Sequence, residues 1–533
     1  MPSDPQTDES AAIDVEQRLH PLTLLFEALR VARAFLIPAL IVGFTAGDGV
    51  ERFALWTLAV LAVPAIFRSV VKYATYRYRV TGDELLIQSG LLHKHRRIIP
   101  LDRVQNIDTS QSALQRLFGM AELRVETASG DSADATLTVL ARDRAEAVRA
   151  ELLRRRRAVE AGVEPGGEMS EPPPVRTVAR LSLGQLALLG ATSNRVGIIA
   201  AALFGLLQFA LQLGIDIPEP AVDPEEAVAA FSAVMWTLIA LAVITFFLVI
   251  GWVLSIVTVT LEYFGFTLER TEHEIQKHYG LLSRRQATVL LRRVQAVRVE
   301  ESVVRRWLGL TAMRVESAGA ELGARQQGRV EAFLPLASLA DVPRLVREVF
   351  RDLDFGALRI LPVHPRARLR AAIRYTVPLL LLTVALSAWR GADWLWLLGL
   401  VPLTLFGAHL HYRHLGYALA PGYVIARSGF WTRITWMVPL HKIQTLHVVE
   451  SPFQRRHGLA TLIVDTAVGG GQDGAQVIDL GRDDALTLQA TLYARMHTAL
   501  DEVAAARRVV AGRAGAISAP SRGEGDGEAA EVD

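Results

Sequence analysis

Residues 101–128, LDRVQNIDTSQSALQRLFGMAELRVETA, carry the pattern that decides the fold, because its fixed points recur twice further along the chain. These points are a basic-apolar-Gln triplet, a Ser-x-x-x-Arg-x-x-Gly segment and a final strand-like stretch with an acidic residue. Residues 291–318 and 440–467 repeat them without a gap, and a glycine precedes each block at the same distance: Gly90, Gly280 and Gly429. Chance does not match such spacings three times, so the sequence predicts three tandem copies of one unit.

Four positions of the block carry polar side chains in every copy. They are Arg103, Gln105, Arg116 and Glu126 in the first copy, Arg293, Gln295, Arg306 and Glu316 in the second, and Lys442, Gln444, Arg455 and Asp465 in the third. A cation and an anion kept at fixed positions favour a structural ion pair that holds a helical turn to a strand. A site for an acidic ligand is the alternative interpretation.

Each block lies in a segment that favours short strands. Around the first block, residues 76–80, 84–88, 93–99, 104–109, 121–128 and 135–140 are β-rich and are separated by turn signals. Ser112 can cap a helical turn that Gly119 ends. An amphipathic helix closes each unit, at residues 144–157, 339–353 and 485–503. The fold class is therefore predicted as α+β, with a small bent sheet or a partly open barrel capped by a helix.

Apolar segments precede every unit and predict a membrane protein. The 533-residue chain is 51% hydrophobic with mean hydropathy +0.27, yet 21% of its residues are charged. Residues 196–215 and 227–261 contain no charge and are long enough to span a bilayer. Weaker pairs of spans lie at residues 31–46 with 53–71 and at 375–389 with 394–412. We therefore expect three transmembrane helical hairpins, each followed by one β-rich domain.

Charged flanks predict the orientation of these hairpins. Basic residues cluster at the outer ends of the spans, whereas the three short loops inside the hairpins contain one basic residue, Arg390. Because cytoplasmic flanks carry the excess of Lys and Arg, the soluble domains and both termini should be cytoplasmic in a multi-pass inner-membrane protein. The chain has no cysteine, which excludes disulfides, thiolate metal sites and cysteine nucleophiles.

The Gly-Leu-Leu turn, the Arg-Val-Gln strand and the Ser-x-x-x-Arg-x-x-Gly segment resemble bacterial pleckstrin-homology-like (PH-like) membrane proteins of the YdbS/YdbT type, and in particular their long, three-domain members. The resemblance implies a seven-stranded bent sheet closed by a helix in each copy. The predicted organisation is a disordered N-terminus (1–20), hairpin 1 (21–75), domain 1 (76–158), a linker (159–178), hairpin 2 (179–262), domain 2 (263–355), hairpin 3 (356–413), domain 3 (414–506) and a disordered tail (507–533). The third copy departs from the others with Lys442 and Ile463 where they have arginine.

Basic residues follow the first glycine of each copy and are the candidates for lipid binding. They are Lys94, His95, Arg96 and Arg97 in domain 1, Arg284 and Arg285 in domain 2, and Arg433 in domain 3. In PH-like folds this region often meets anionic headgroups, and a hairpin would hold it close to the inner leaflet. A solvated basic face that follows the positive-inside bias is the alternative.

Motifs for catalysis, metals and phosphate loops are missing from the sequence, so we expect no enzyme activity, no cofactor and no metal. No nucleic-acid-binding signature is present either. The predicted function is a membrane scaffold whose three domains bind lipids or proteins, in envelope stress or antimicrobial resistance. Expected partners are membrane lipids and either further copies of the chain or a smaller PH-like membrane protein. A component of a transport or export system is the alternative.

Overall fold

The computed structural model describes residues 17–30, 34, 67–127, 135–161, 174–212, 233–317, 333–467 and 474–517, without residues 68, 72, 82–83, 92, 102–103 and 194. The chain divides into two compact units. The first unit comprises Met1–Val294 with Glu301–Arg351, and the second comprises Gln295–Glu300 with Asp352–Asp533.

The described residues of domain 1 form seven strands, in two sheets, and a closing helix. Its first sheet has the order β1-β2-β3-β4, and its remaining strands are neighbours in the order β7-β6-β5. The elements are β1 (Gln17–Arg18), β2 (Arg77–Thr81), β3 (Glu84–Ser89), β4 (His95–Pro100), β5 (Val104–Gln111), α1 (Ala113–Leu117), β6 (Met120–Thr127), β7 (Ala135–Ala141) and α2 (Arg142–Ala161). Its core packs alternate strand residues against the helix, where Leu85, Leu123, Leu137, Val148 and Leu152 are fully buried.

Domain 2 continues the second sheet of domain 1. The full strand order of that sheet is β7-β6-β5-β11-β10-β9-β8, so β11 of domain 2 lies beside β5 of domain 1. The elements of this part of the chain are β8 (Arg176–Arg180), α3 (Leu183–Ala191), α4 (Val196–Gln212), α5 (Ala233–Tyr263), β9 (Thr267–Arg270), β10 (Glu274–Tyr279), β11 (Arg284–Leu290), β12 (Val294–Ser302), α6 (Val303–Trp307), β13 (Leu310–Ser317), β14 (Leu334–Ser338) and α7 (Val342–Val349).

The second unit contains domain 3 and the central residues of β12. Its elements are α8 (Arg366–Arg390), α9 (Val401–His414), β15 (Gly416–Ala420), β16 (Tyr423–Ser428), β17 (Thr432–Pro439), β18 (Ile443–Val449), α10 (Pro452–His457), β19 (Leu459–Thr466), β20 (Ala475–Gly481) and α11 (Arg482–Ile517). Here β12 lies beside β17 in the order β12-β17-β16-β15, and β18, β19 and β20 form a separate antiparallel sheet.

The repeated residues form the same local structure in all three copies. The glycine before each block has a φ of 98°, 110° or 97° at Gly90, Gly280 and Gly429, a region that favours residues without a Cβ. Ser112, Ser302 and Ser451 each cap the helical turn that follows, as predicted for the first copy. The carbonyl of the glycine after that turn accepts a hydrogen bond from the backbone amide of the residue that begins the closing segment. The pairs are Arg142 with Gly119 at 2.8 Å, Leu339 with Gly309 at 2.8 Å and Arg482 with Gly458 at 3.0 Å.

Short strands that precede the first two predicted hairpins were not part of the predicted organisation. Strand β1 pairs with β2 and β8 pairs with β9, although a predicted membrane hairpin separates the two strands of each pair. In domain 3 an isolated bridge between Leu361 and Tyr417 occupies this place. Strand β1 thus lies inside the segment predicted as a disordered N-terminus (1–20), and the predicted linker ends within β8. Helix α11 also continues to Ile517, beyond the predicted start of the tail at residue 507.

Among the described residues, three helices are long and apolar enough to cross a membrane: Met235–Tyr263, Arg366–Arg390 and Ala392–His414. The last of these joins a 3-10 segment, Ala392–Leu400, to α9. Two helices bent by 65° relative to each other, Leu183–Ala191 and Val196–Gly205, meet the same criterion when taken together as one broken span. Close helix contact at the second hairpin depends on small residues, since a Cβ on Gly190 would lie 2.6 Å from the Cα of Ile256. The first predicted hairpin lies almost entirely outside the described residues, so the arrangement of three hairpins remains a prediction.

Candidate functional site

A basic cavity lies on the outer face of the first sheet of domain 1. Antiparallel pairing places Gln88 opposite Arg77 on one side and opposite Arg96 on the other, so these residues form a row across β2, β3 and β4. Arg79 stands in the next row. The cavity, of about 210 Å³, is lined by these three arginines together with Tyr78, Leu86 and Gln88. Its guanidinium groups suit an anionic group such as a phosphate.

The structure separates the predicted lipid-binding residues into an open group and docked groups. Lys94, His95, Arg96 and Arg97 are all exposed, on or next to β4. β4 is an edge of its sheet as far as the chain is described. Arg284 is also exposed, but it and Arg285 lie opposite Gln111 and Ser110 of domain 1. Arg433 lies on β17, which is beside β12. The open basic edge therefore belongs to domain 1.

Arg77 and Arg79 were missed by the sequence analysis. They alternate with the buried residues Tyr78 and Val80 in β2, which is the two-residue period of a strand with one face in the core. Reading that period would have placed both arginines on the outer face. Their proximity to Arg96 depends on strand order, which the local sequence does not contain.

A second feature is the groove between β5 and the closing helix α2, which is filled by β11. Arg149 of α2 donates to the Ile107 carbonyl at 3.5 Å and to Thr288 Oγ1 of β11 at 3.0 Å. With its amide oxygen turned to the helix, Gln286 accepts from the same guanidinium at 2.6 and 2.9 Å. Asp108 Oδ1 accepts the backbone amide of Thr288 at 3.3 Å. Side chains of domain 1 thus hold a strand of domain 2.

Beside this junction lies a cavity of about 380 Å³, lined in part by Arg142, Glu146, His278 and Arg284. Burial lowers the pKa of His278, and the positive charge of Arg149 lowers it further, whereas Glu269 opposes the shift. His278 Nε2 lies 3.7 Å from Glu269 Oε2. At pH 7 the neutral imidazole is therefore the favoured form in the folded chain.

Domain 3 has the corresponding groove between β18 and α11, where it forms a cavity of about 480 Å³. Gln489 of α11 donates to the Leu446 carbonyl at 2.9 Å, which repeats the contact from Arg149 to the Ile107 carbonyl. Leu486, Tyr493 and Met496 contribute the wall on the helix side. No described strand of the chain lies in this groove beside β18.

The recurrent arginines and acids lie in several environments. Arg116 is exposed and donates to the carbonyl of Leu281, in the turn between β10 and β11 of domain 2. The side chain of Glu126 lies outside the described residues. Asp465 accepts from Thr445 Oγ1 at 3.1 Å and lies 3.5 Å from His447 Nε2, and Arg455 is exposed. The predicted ion pair between the recurrent arginine and acid stays a prediction.

Most of the other recurrent positions lie near the start of β12 in domain 2 or of β18 in domain 3. Arg293 and Lys442 end the short 3-10 turns Leu291–Arg293 and Leu440–Lys442, just before β12 and β18. Gln295 and Glu316 are buried, Arg306 is half-buried and Gln444 is exposed. Arg103 and the side chain of Gln105 lie outside the described residues.

A buried carboxylate links the base of α8 to domain 3. Asp479 has a φ of 61° and accepts from Arg370 at 2.5 and 2.6 Å and from Gln454 at 2.8 Å. A non-glycine residue in this region is sustained only when its surroundings hold it there. Among the described residues, no group of three or more His, Asp or Glu side chains could hold a metal ion.

Comparison with known proteins gives a consistent result for all three repeats. The family model described as "Bacterial PH domain" matches residues 32–156, 201–352 and 367–496. The UPF0699 transmembrane protein YdbT of Bacillus subtilis (strain 168) is 25% identical over 485 residues, which cover 88% of this chain and 96% of the relative. The UPF0699 transmembrane protein YdbS of the same organism is 36% identical over 76 residues, 14% of this chain and 47% of that protein. No solved structure matched the chain.

Proposed function

Because this chain belongs to the bacterial PH domain family, we propose that it is a non-enzymatic membrane platform whose domain 1 binds anionic lipid headgroups. Its spans hold the PH-like domains at the cytoplasmic side of the inner membrane. The platform serves the response of the cell envelope to stress or to antimicrobial compounds. Domains 2 and 3 act mainly in assembling the platform, since their basic strands are docked.

The observation that carries the proposal is the row of arginines around the cavity of domain 1. Arg77, Arg79 and Arg96 converge on one cavity, and helical residues 73–75 lead directly into β2. Each basic residue close to an anionic surface contributes about 1 kcal/mol, so the three together would favour an anionic headgroup by roughly 100-fold. Anchoring by the preceding hairpin raises the effective concentration of headgroups, which makes even a weak contact populated.

A lipid titration of the full-length chain tests this proposal. Short-chain phosphatidylglycerol and phosphatidylcholine are titrated into the protein in a neutral detergent, and binding is followed by native mass spectrometry. We expect preferential binding of phosphatidylglycerol, reduced by roughly 100-fold in a variant that combines Arg77→Ala, Arg79→Ala and Arg96→Ala. Inorganic phosphate, added as a separate competitor, distinguishes a general phosphate site from a headgroup site.

A variant with the same loss of charge at other positions is the control. Arg142→Ala, Arg359→Ala and Arg456→Ala together remove three exposed arginines that lie away from this cavity. The proposal fails if both triple variants lose the same affinity, because the effect would then reflect net charge alone. Equal binding of the two lipids by the unchanged chain would also contradict it.

The absence of cysteine allows a direct test of the proposed orientation. Single cysteines at Ala221, Gly319 and Gly470 are labelled with an impermeant maleimide on intact cells. We expect labelling at position 221, in the loop of hairpin 2, and labelling at positions 319 and 470 only after the cells are permeabilised. Labelling of either domain position on intact cells would contradict the cytoplasmic placement.

A further inference from the structure

The same strand docking occurs twice in this chain. In the first unit β11, the last strand of the first sheet of domain 2, lies beside β5, the first strand of the second sheet of domain 1. In the second unit β17, the equivalent strand of domain 3, lies beside β12. Arg298 of β12 also stacks over the Trp436 ring of β17 at 5.3 Å. In both units the last strand of a first sheet is the guest, and the first strand of a second sheet is its host.

Two members of this series remain open among the described strands. The guest strand of domain 1 is β4, which has β3 as its neighbour, and the host strand of domain 3 is β18, which has β19 as its neighbour. Both carry exposed apolar residues, Ile98 at 47% and Val449 at 47%. An open strand edge with exposed apolar residues is a template for pairing with another chain.

We propose that β4 of a second copy of this chain docks onto β18, in the groove between β18 and α11. The repeat predicts the register of the docked strand. Arg284, Arg285 and Gln286 of β11 stand opposite Gln111, Ser110 and Thr109 of β5. The corresponding pairs, by repeat position, are Lys94 with Glu450, His95 with Val449, and Arg96 with Val448.

The chemistry of the two edges fits this register. Lys94 and Glu450 have opposite charges, so the outermost pair is favourable. Glu450 already lies 2.9 Å from Arg482 Nε, and Lys94 would be a second cation on this carboxylate. Arg455 is exposed at the position of Arg116, whose partner is the carbonyl of Leu281. In the docked pair Arg455 donates to the carbonyl of Leu91, the counterpart of Leu281 in the second copy. A recurrent arginine thereby gains the same partner in domain 3 as in domain 1.

The helix side of the groove suits the residues that β4 would bring. Gln489 occupies the position of Arg149 and already contacts β18, while Tyr493 and Met496 extend an apolar wall towards the guest strand. Ile98 takes the place of Thr288, so an apolar side chain replaces the hydroxyl that Arg149 binds. The polar contact between Arg149 and Thr288 is thus replaced by an apolar contact, since Ile98 on the guest strand would meet the apolar wall of α11.

Such a contact joins two different surfaces, so it is heterologous and extends from copy to copy until a ring closes. Docking would also place α11 over Arg96, where a lipid headgroup is proposed to bind. The test therefore uses neutral lipid, and its readout does not depend on lipid binding.

Cysteine cross-linking of the full-length chain tests the docking. One tagged chain carries His95→Cys and a differently tagged chain carries Val449→Cys, and both are reconstituted together in phosphatidylcholine vesicles. Residues directly opposite in an antiparallel pair have Cα atoms about 4.5–5.5 Å apart, which a disulfide can bridge. We expect a disulfide that joins the two tags after mild oxidation, at least roughly ten-fold above that of a Gln88→Cys chain mixed with the Val449→Cys chain, since Gln88 lies on an inner strand.

A second substitution tests the role of Arg455 in the same experiment. Adding Arg455→Ala to the Val449→Cys chain should lower the cross-linking rate roughly ten-fold, because a charged hydrogen bond to the docked strand is lost. Arg456→Ala removes an exposed arginine from the same helical turn and should leave the rate unchanged. No disulfide between the tags, or equal effects of the two arginine substitutions, would overturn the proposal.

Discussion

Replacing Arg149 with alanine should release β11 from domain 1 while leaving each domain folded. The guanidinium makes three contacts across the junction to β11, to Thr288 at 3.0 Å and to Gln286 at 2.6 and 2.9 Å. A fourth contact, to the Ile107 carbonyl at 3.5 Å, lies within domain 1. Hydrogen bonds to a charged group contribute about 1.5–3 kcal/mol each when considered singly. Arg149 is half-buried, so water can replace part of what is lost, and the contacts share one group. We therefore expect a total loss of about 2–3 kcal/mol.

Hydrogen exchange of the full-length chain in detergent measures this loss at the strand itself. A decrease of about 2 kcal/mol in the opening free energy corresponds to roughly 30-fold faster exchange of the protected amides. The acceleration should be confined to β11 and the facing part of β5, whereas β2, β3 and the core residues of α2 keep their protection. The unfolding midpoint of the whole chain should change little.

Arg142→Ala is the matched control on the same helix, because its guanidinium pairs with Glu146 of α2 at 2.9 Å. It should leave exchange at β11 within two-fold of the unchanged chain, roughly the spread expected of an exposed ion pair. The reasoning would be refuted if Arg149→Ala left β11 protected, or if it accelerated exchange equally throughout domain 1. In the latter case Arg149 would support the domain and not the junction.

Three further outcomes follow from single residues. Gly280→Ala should destabilise the chain by about 2–4 kcal/mol in chemical unfolding, because φ is 110° and a Cβ would lie 1.9 Å from the Ser283 carbonyl oxygen. Asp479→Asn keeps a residue that tolerates a φ of 61° but removes the charge that faces Arg370, so about 2–4 kcal/mol should be lost in the same assay. Folding lowers the pKa of His278, so the contribution of His278 to stability is complete above pH 6.5 and is lost as the pH falls through the folded pKa. His278→Gln should therefore weaken the dependence of the thermal unfolding midpoint on pH between pH 7 and 5.

The sequence predicted the features of this fold that depend on residues close together in the chain. The turn glycines, the serine caps and the closing helices are local, so Gly90, Ser112 and the helix from Arg142 could be identified from spacing alone. Strand β1 was missed because it has two residues and pairs with β2 across about 60 intervening residues. The docking of β11 on β5 was also missed, since nothing in either strand specifies which edge it meets.

Basic residues illustrate the same limit at the candidate site. The seven predicted lipid-binding residues occupy equivalent turns and strands, so sequence reasoning gave them one role. The structure divides them, because Arg284 and Arg285 lie at a domain junction while Lys94 and Arg96 remain on an open edge. Repetition identifies a position within a domain, and only the neighbours of that domain decide what the position contacts.

The same distinction explains which cations the third repeat keeps. Arg124 bonds Glu122 of its own strand at 3.0 Å, and both are replaced in domain 3, by Ile463 and Thr461. That pair stabilises a single strand and can be lost together. Arg116 instead bonds a backbone carbonyl of the docked domain, which every guest strand supplies whatever its side chains. An arginine of this kind places no demand on the sequence of its partner, so Arg455 can serve a guest from a second copy as Arg116 serves domain 2.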